Sequence, residues 1–314
     1  MLASLASVDS TFVTPLHAAV LGLVEGITEY LPISSTGHLI IASALMGLDS
    51  PPEQKAAVDA FNIVIQGGAI LAVLGLYRQR VWQMILGVLG RDREGLRLAI
   101  NIIVAFLPAA VLGVLLNDWI DAHLFYAGPV MAALLLGGLF MIGIDYWKVR
   151  PEDRLHRPSL PDDFLHLRWH SALFIGLLQC IAMWPGMSRS MMTISGGVLV
   201  GLKPKQAAEF SFLLGLPTLG GACVWTLYKD VEGGKPQMFE VIGALPIIVG
   251  VVVASVSAGV AVKWLVGFLT RHGLTVFGIY RIVLCAVLGL LWWTGTVSIE
   301  PDAVAPTPAS EVQP

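Results

Sequence analysis

Charge is what this sequence has least of. Asp, Glu, Lys and Arg make up 13% of its 314 residues, where ordinary soluble domains run near one quarter. Hydrophobic residues make up 56%, and the mean hydropathy is +0.76. A charge deficit spread over the whole length excludes an ordinary water-soluble fold and points to an all-α polytopic membrane protein. The net charge is only −3, so there is no basic footprint for nucleic acid. Cysteine is scarce as well. Cys180, Cys223 and Cys285 lie far apart in apolar stretches. That spacing fits neither a zinc site nor a disulfide framework, and they read as small buried hydrophobes. No Lys or Arg precedes the first apolar run, so no cleavable signal peptide is expected.

Long apolar runs are what the chain has in abundance. A bilayer crossing needs about 20 residues. Six stretches qualify, at about 60–77, 98–117, 124–144, 210–228, 241–262 and 275–297. Two further apolar regions, 12–48 and 169–202, are each broken by a polar knot. The first knot is Leu31-Pro32-Ile33-Ser34-Ser35-Thr36-Gly37-His38, and the second is Trp184-Pro185-Gly186-Met187-Ser188-Arg189-Ser190. Proline removes a backbone donor and stops a helix. At membrane depth such a break survives only inside protein or beside water. Both regions therefore read as re-entrant helix–loop–helix hairpins.

Loop charge is consistent with this layout. With both termini outside, the inside loops hold Arg78, Arg80, Arg91, Arg93, Arg97, Lys148, Arg150, Arg154, Arg157, Arg168, Lys203, Lys205, Lys263 and Arg271. The outside segments hold only Lys55, Lys229 and Lys235. Arg189 and Arg281 remain within apolar stretches. That is the positive-inside pattern.

The two halves resemble each other. His17-Ala18-Ala19-Val20 is similar to His170-Ser171-Ala172-Leu173. Pro32 aligns with Pro185, Ser35 with Ser188, and Phe61-Asn62-Ile63 with Phe210-Ser211-Phe212. Leu107-Pro108 recurs as Leu245-Pro246. Each half runs hairpin, span, span, span. Three spans is an odd number, so the second half is expected upside down, the inverted-topology repeat common in transporters. The expected division is repeat 1 over 1–147, a cytoplasmic linker over 148–168, repeat 2 over 169–297 and a disordered tail over 298–314.

Ionisable residues inside membrane segments are costly and usually functional. Here they cluster. Glu25 and Glu29, four apart, share a helix face. Two carboxylates there repel unless a cation binds, Arg189 approaches, or one of them keeps its proton. A water-filled crevice is the blander reading, but Ser34, Ser35, Thr36 and His38 follow at once. Capping the second half-helix accounts for one hydroxyl, not three. A helix start also offers free N–H groups to an anion. His38 beside these groups suits a general acid or base, or a nucleophile. The second knot supplies Ser188, Arg189, Ser190 and Thr193 at its own helix start. The guanidinium of Arg189 suits a phosphate, and equally suits an ion pair holding the hairpins together. Together the two tips make a kit for phosphoryl transfer. Glu209, Gln66 and Arg281 lie outside this cluster; for Arg281, support of the site and snorkelling are both open.

Residues Glu25 to His38, with Pro185-Gly186-Met187-Ser188-Arg189-Ser190 and Thr193-Ile194-Ser195-Gly196-Gly197, resemble the undecaprenyl-diphosphate phosphatase family of the bacitracin-resistance type. The resemblance extends through the Gln66, Glu209–Leu214 and Tyr280-Arg281 segments. It implies hydrolysis of undecaprenyl diphosphate to undecaprenyl phosphate and phosphate, which recycles the lipid carrier of cell-wall synthesis in the bacterial inner membrane. It implies a divalent cation, Mg2+ or Ca2+, with Glu25 and Glu29 as its ligands or as base. Ser35 or His38 would then be the nucleophile, and Arg189 would sit on the diphosphate. Ser34, Thr36, Ser188, Ser190 and Thr193 would be the other contacts to substrate. A homodimer is compatible with it. One departure stands out: Met191-Met192 replaces the Gly-Ala that usually follows Ser-Arg-Ser in the family.

Two other functions compete. An inverted repeat also suits a transporter or flippase of a phosphorylated polyprenyl lipid. An acid-phosphatase-like lipid phosphatase needs a second histidine soon after its Ser-Arg pair, and here the next is His272, which excludes it. A purely structural membrane protein leaves Glu25, Glu29 and Arg189 unexplained.

Overall fold

The computed structural model describes residues 12–49, 52–148, 164–232, 238–297 and 299. Every regular element among them is a helix. In chain order these are α1 (Pro15–Thr28), α2 (Ser35–Leu45), α3 (Pro52–Leu76), α4 (Arg78–Val88), α5 (Arg93–Leu124) and α6 (Ala127–Lys148), followed after a 3-10 turn (Phe164–His166) by α7 (Trp169–Ile181), α8 (Arg189–Leu199), α9 (Pro204–Glu232), α10 (Met238–Ile242), α11 (Ala244–Leu269) and α12 (Thr275–Trp293). Six of them, α3, α5, α6, α9, α11 and α12, are long and apolar enough to cross a bilayer. Each overlaps one of the six expected spans. The chain is an all-α polytopic membrane protein. Its outer surface carries large apolar side chains such as Val114, Leu115 and Leu136, which suits a lipid solvent rather than water.

Boundaries differ from expectation where helices continue through polar residues. α5 runs for 32 residues, because hydropathy does not register the polar turns at its two ends. Residues 78–97, expected as a loop, hold α4, which folds back on α5 at Gly87 and Gly95. The last residues of the expected linker pack into the protein. Phe164, Leu165 and Leu167 are buried, Phe164 lies edge-on to Phe210, and Asn101 donates to the Leu167 carbonyl at 2.8 Å. The rest of the linker, and the expected disordered tail except residue 299, lie outside the described residues.

Helix packing repeats between the halves. α1 packs on α11, and α7 packs on α5. α3 meets α11, and α9 meets α5; α2 meets α12, and α8 meets α6. α3 and α9 pack together, as do α6 and α12. Exchanging each helix of one half for its counterpart in the other maps these contacts onto one another. Two glycines mark equivalent close approaches in the two halves. A Cβ on Gly22 would collide with the Gly250 carbonyl oxygen, and one on Gly176 with the Ala105 carbonyl oxygen. Backbones come this near only where both helices present small residues.

Those pairs correct the alignment of the halves. Gly22 corresponds to Gly176, and the cap residue Ser34 corresponds to Ser188. The expected pairing of Ser35 with Ser188 is therefore one residue out of register. Ser35 corresponds to Arg189, since each is the first residue of its half-helix. The two Leu-Pro pairs are not equivalent either. Pro108 lies inside α5, whereas Pro246 sits in the first turn of α11.

Candidate active site

Both hairpin tips turn on a strained serine. Ser34 and Ser188 are the two non-glycine residues with positive φ among the described residues, at 74° and 73°. A side chain there is sterically disfavoured, and such strain concentrates at functional sites. Each serine caps the helix that follows. The Ser34 hydroxyl accepts from the Gly37 amide at 3.4 Å, and that of Ser188 from the Met191 amide at 3.3 Å. The caps start α2 and α8 abruptly, so Ser35 and Arg189 are presented at the first helical position of each tip.

Glu29, at the end of α1, joins them. Its Oε2 accepts from the Ser35 hydroxyl at 2.8 Å. Its Oε1 accepts from Arg189 Nη2 at 3.0 Å. Arg189 Nη1 donates to the Ser211 carbonyl of α9 at 2.9 Å, and the guanidinium lies over the Tyr30 ring at 5.3 Å. Glycine at 215 leaves it room, because a Cβ there would stand 2.9 Å from Nη1. One carboxylate thus holds a hydroxyl from one hairpin and a cation from the other.

The remaining hydroxyls of the second tip have protein partners. Ser190 is fully buried and donates to the Leu31 carbonyl at 2.8 Å, stitching tip to tip. Ser188 lies 3.0 Å from the Ser190 hydroxyl. Thr193 is buried, with its hydroxyl 2.9 Å from the Arg189 carbonyl and 2.6 Å from the Ser211 hydroxyl. Thr36 is half-buried in the first turn of α2. Met191 and Met192 are buried in α8.

Glu25 stands one helical turn before Glu29 and is fully buried. Neither of its carboxylate oxygens has a hydrogen-bond partner. An orphaned buried carboxylate is expensive, and a bound cation is one way to offset the cost. No group of three or more His, Cys, Asp or Glu side chains suited to a metal occurs among the described residues. Glu25 and Glu29 by themselves offer two carboxylates, a set that would fit a hard cation only with its other ligands taken from substrate phosphates and water.

His38 is not brought to Glu29. Its Nδ1 lies 2.7 Å from the Ser34 carbonyl, and its Nε2 lies 2.7 Å from the Tyr280 hydroxyl of α12. Arg281, open to snorkelling from sequence, is fully buried instead. Its Nη2 donates to the Ala133 carbonyl at 3.0 Å and to the Gly186 carbonyl of the second tip at 2.9 Å. Sequence reasoning missed Tyr30, Ser211, Gly215 and Tyr280 as parts of this centre. Their aromatic and small residue types are ordinary in apolar helices, and Ser211 reaches Arg189 through its main chain. Tyr30, Ser211 and Tyr280 stood in segments that had drawn notice, but none was singled out as part of the site.

The arrangement can deprotonate a hydroxyl beside a guanidinium, with a second carboxylate free for a cation. Comparison with known proteins gives the chain's relatives. The chain is 44% identical over 275 residues to an undecaprenyl-diphosphatase of Sorangium cellulosum, covering 88% of this chain and 85% of the relative. It is 45% identical over 286 residues to undecaprenyl-diphosphatase 2 of Rhodospirillum rubrum, covering 90% and 97%. It is 43% identical over 284 residues to an undecaprenyl-diphosphatase of Pseudomonas fluorescens, covering 90% and 96%. The family model for bacitracin resistance protein BacA matches residues 18–287, both hairpins included, and the chain belongs to that family.

Proposed function

We propose that this protein hydrolyses undecaprenyl diphosphate to undecaprenyl phosphate and inorganic phosphate in the cytoplasmic membrane of a bacterium. The names of its relatives supply the substrate. The observation that carries the chemistry is Glu29, shared between Ser35 and Arg189. Ser35 is the nucleophile. Its proton passes to Glu29 as Oγ attacks the terminal phosphorus, and the bond from that phosphorus to the bridging oxygen breaks. Undecaprenyl phosphate leaves with the bond's electron pair. Water then attacks that phosphorus and the P–Oγ bond breaks; Glu29 returns its proton to Oγ, which restores Ser35, and phosphate leaves carrying the oxygen and protons of the water. Arg189 turns part of its fork from Glu29 to the non-bridging oxygens, where charge must be stabilised. Geometry supports Ser35 over His38: Ser35 donates to a carboxylate, while His38 is engaged by a carbonyl and a phenol.

Glu25 and Glu29 would hold the divalent cation, which neutralises diphosphate oxygens and so favours departure of the lipid phosphate. Glu25 has both oxygens free for this, whereas Glu29 has committed both. Ser34, Thr36, Ser188, Ser190 and Thr193 serve the substrate mainly by fixing the two helix starts, whose amides face the phosphates.

The hairpins are re-entrant and the halves inverted. Support comes from helix length. α1, α2, α7 and α8 have 14, 11, 13 and 11 residues, so each spans at most roughly 21 Å against a hydrocarbon core of about 30 Å. The exchange of packing partners between the halves supports the repeat, with divisions at 1–147, 148–168, 169–297 and 298–314. That same packing favours a second reading, transport of a phosphorylated polyprenyl lipid by alternating access.

Phosphate release from undecaprenyl diphosphate by purified protein in detergent separates the two, because transport needs two compartments. Release is expected, and it should fall at least 100-fold in both Glu29→Gln and Arg189→Ala. No release, or release unaffected by both changes, overturns the enzyme reading.

A further inference from the structure

His38 has one ring nitrogen to offer, and a tyrosine occupies it. A carbonyl oxygen only accepts, so the 2.7 Å contact to Ser34 O requires the proton on Nδ1. In the neutral ring Nε2 then carries the lone pair, and the hydrogen bond at 2.7 Å is donated by the Tyr280 hydroxyl. The two rings are nearly parallel, at 7° with centroids 5.6 Å apart. Nδ1 is thus spent on the backbone of His38's own helix, and any chemistry by His38 must pass through the nitrogen that Tyr280 holds.

Tyr280 is set on a stiff support. α12 starts against α6, where Asp145 accepts from the Thr275 amide at 3.1 Å and from its hydroxyl at 2.6 Å. Two residues before Tyr280 the helices touch backbone to backbone, since a Cβ on Gly138 or on Gly278 would lie 2.7 Å from the other's carbonyl oxygen. One residue after it, buried Arg281 grips Gly186 of the second tip. Rotation or sliding of α12 is resisted on both sides of the phenol. His38, by contrast, rides on a helix that begins at a strained serine.

We propose that Tyr280 is a positioning residue for His38: its hydroxyl holds Nε2 of a ring carried one helical turn after Ser35, in the tautomer set by Ser34, until the diphosphate arrives. The proposal rests on the phosphatase reading for its catalytic consequence, and on geometry alone for the hydrogen bond. In this role His38 serves the second step, when Glu29 already carries the Ser35 proton: Nε2, which bears the lone pair, takes a proton from the attacking water and returns it to the departing phosphate, and Tyr280 acts through it.

Kinetics and spectroscopy test it together. Tyr280→Phe keeps the ring and removes the hydroxyl. Its kcat should fall about tenfold, the size of one lost hydrogen bond, with KM unchanged. In a His38→Ala background the same change should cost nothing further. Unchanged kcat in the single variant, or an equal loss in both backgrounds, overturns the proposal, because a structural tyrosine would act whether or not His38 is present. In 15N-histidine-labelled protein the Nε2 resonance of His38, identified by its loss in His38→Ala, should shift in Tyr280→Phe while Nδ1 stays. An unmoved Nε2 also overturns it, whatever the activity. If the wild type releases no phosphate, the function proposed above fails instead, and the Nε2 shift alone decides the role of Tyr280.

Discussion

A single residue change best probes Arg189, because its fork has two appointments. It bridges the Ser211 carbonyl and Glu29 through different nitrogens, which the single ammonium of lysine does not reproduce. Arg189→Lys is expected to cut kcat/KM about 100-fold despite keeping the charge, measured as phosphate release. A loss below about threefold would mean that only charge matters there. Ser188 tests the strained cap. At φ 73°, Ser188→Gly loses the cap but suits the backbone, whereas Ser188→Ala loses the cap and keeps the strain. Alanine should be the less stable by about 1–2 kcal/mol, the reverse of their order inside a helix. Thermal unfolding in detergent ranks the two variants.

The residues legible in the sequence were those whose charge is out of place. Glu25, Glu29 and Arg189 stand out because apolar helices rarely tolerate them, and Ser34 and Ser35 because they follow a proline break. What stayed hidden was depth and direction. Arg281 next to a helix surface and Arg281 at its centre have the same letter, and only packing says that it is buried. His38 keeps helical spacing with Ser35, yet its ring turns to Tyr280 on a helix 242 residues away.

At the scale of helices, the seams carry the site. Glu25 and Glu29 are placed by α1, and α1 is placed by its close contact with α11 at Gly22. Gly22→Val should push these helices apart, cost about 1–3 kcal/mol and lower activity through Glu29. Gly176→Val, at the equivalent contact of α7 with α5, should destabilise similarly. Unfolding temperature and phosphate release read both effects, and wild-type behaviour of either variant would show that its seam yields. All six spans could be read from hydropathy because each is long. The register between the halves could not. Matching Ser35 to Ser188 by residue type hid the fact that the first helical position holds a hydroxyl in one half and a guanidinium in the other. α4 was missed for a related reason, since a short amphipathic helix looks like a charged loop.

For the whole molecule the topology is directly testable. With both termini outside, Asp49 and Thr294 face out, and Arg91 and His272 face in. In a background lacking Cys180, Cys223 and Cys285, Asp49→Cys and Thr294→Cys should react with an impermeant maleimide in intact cells. Arg91→Cys and His272→Cys should react only after permeabilisation. Labelling of all four from one side would refute the crossings by α3 and α12 on which this topology depends.

The link between Glu29 and Arg189 also has a consequence in time. The two residues are 160 apart in the chain. At about 5–20 residues per second, a ribosome needs roughly 8–32 s to travel between them. Over that interval the first hairpin exists without its guanidinium, with two carboxylates and no cation from its own chain. The nascent hairpin must wait near the membrane surface, or with its acids protonated, until the second arrives. Burial of the first hairpin is thereby tied to completion of the second, and a ribosome that stalls between them leaves a fragment unable to settle in the bilayer.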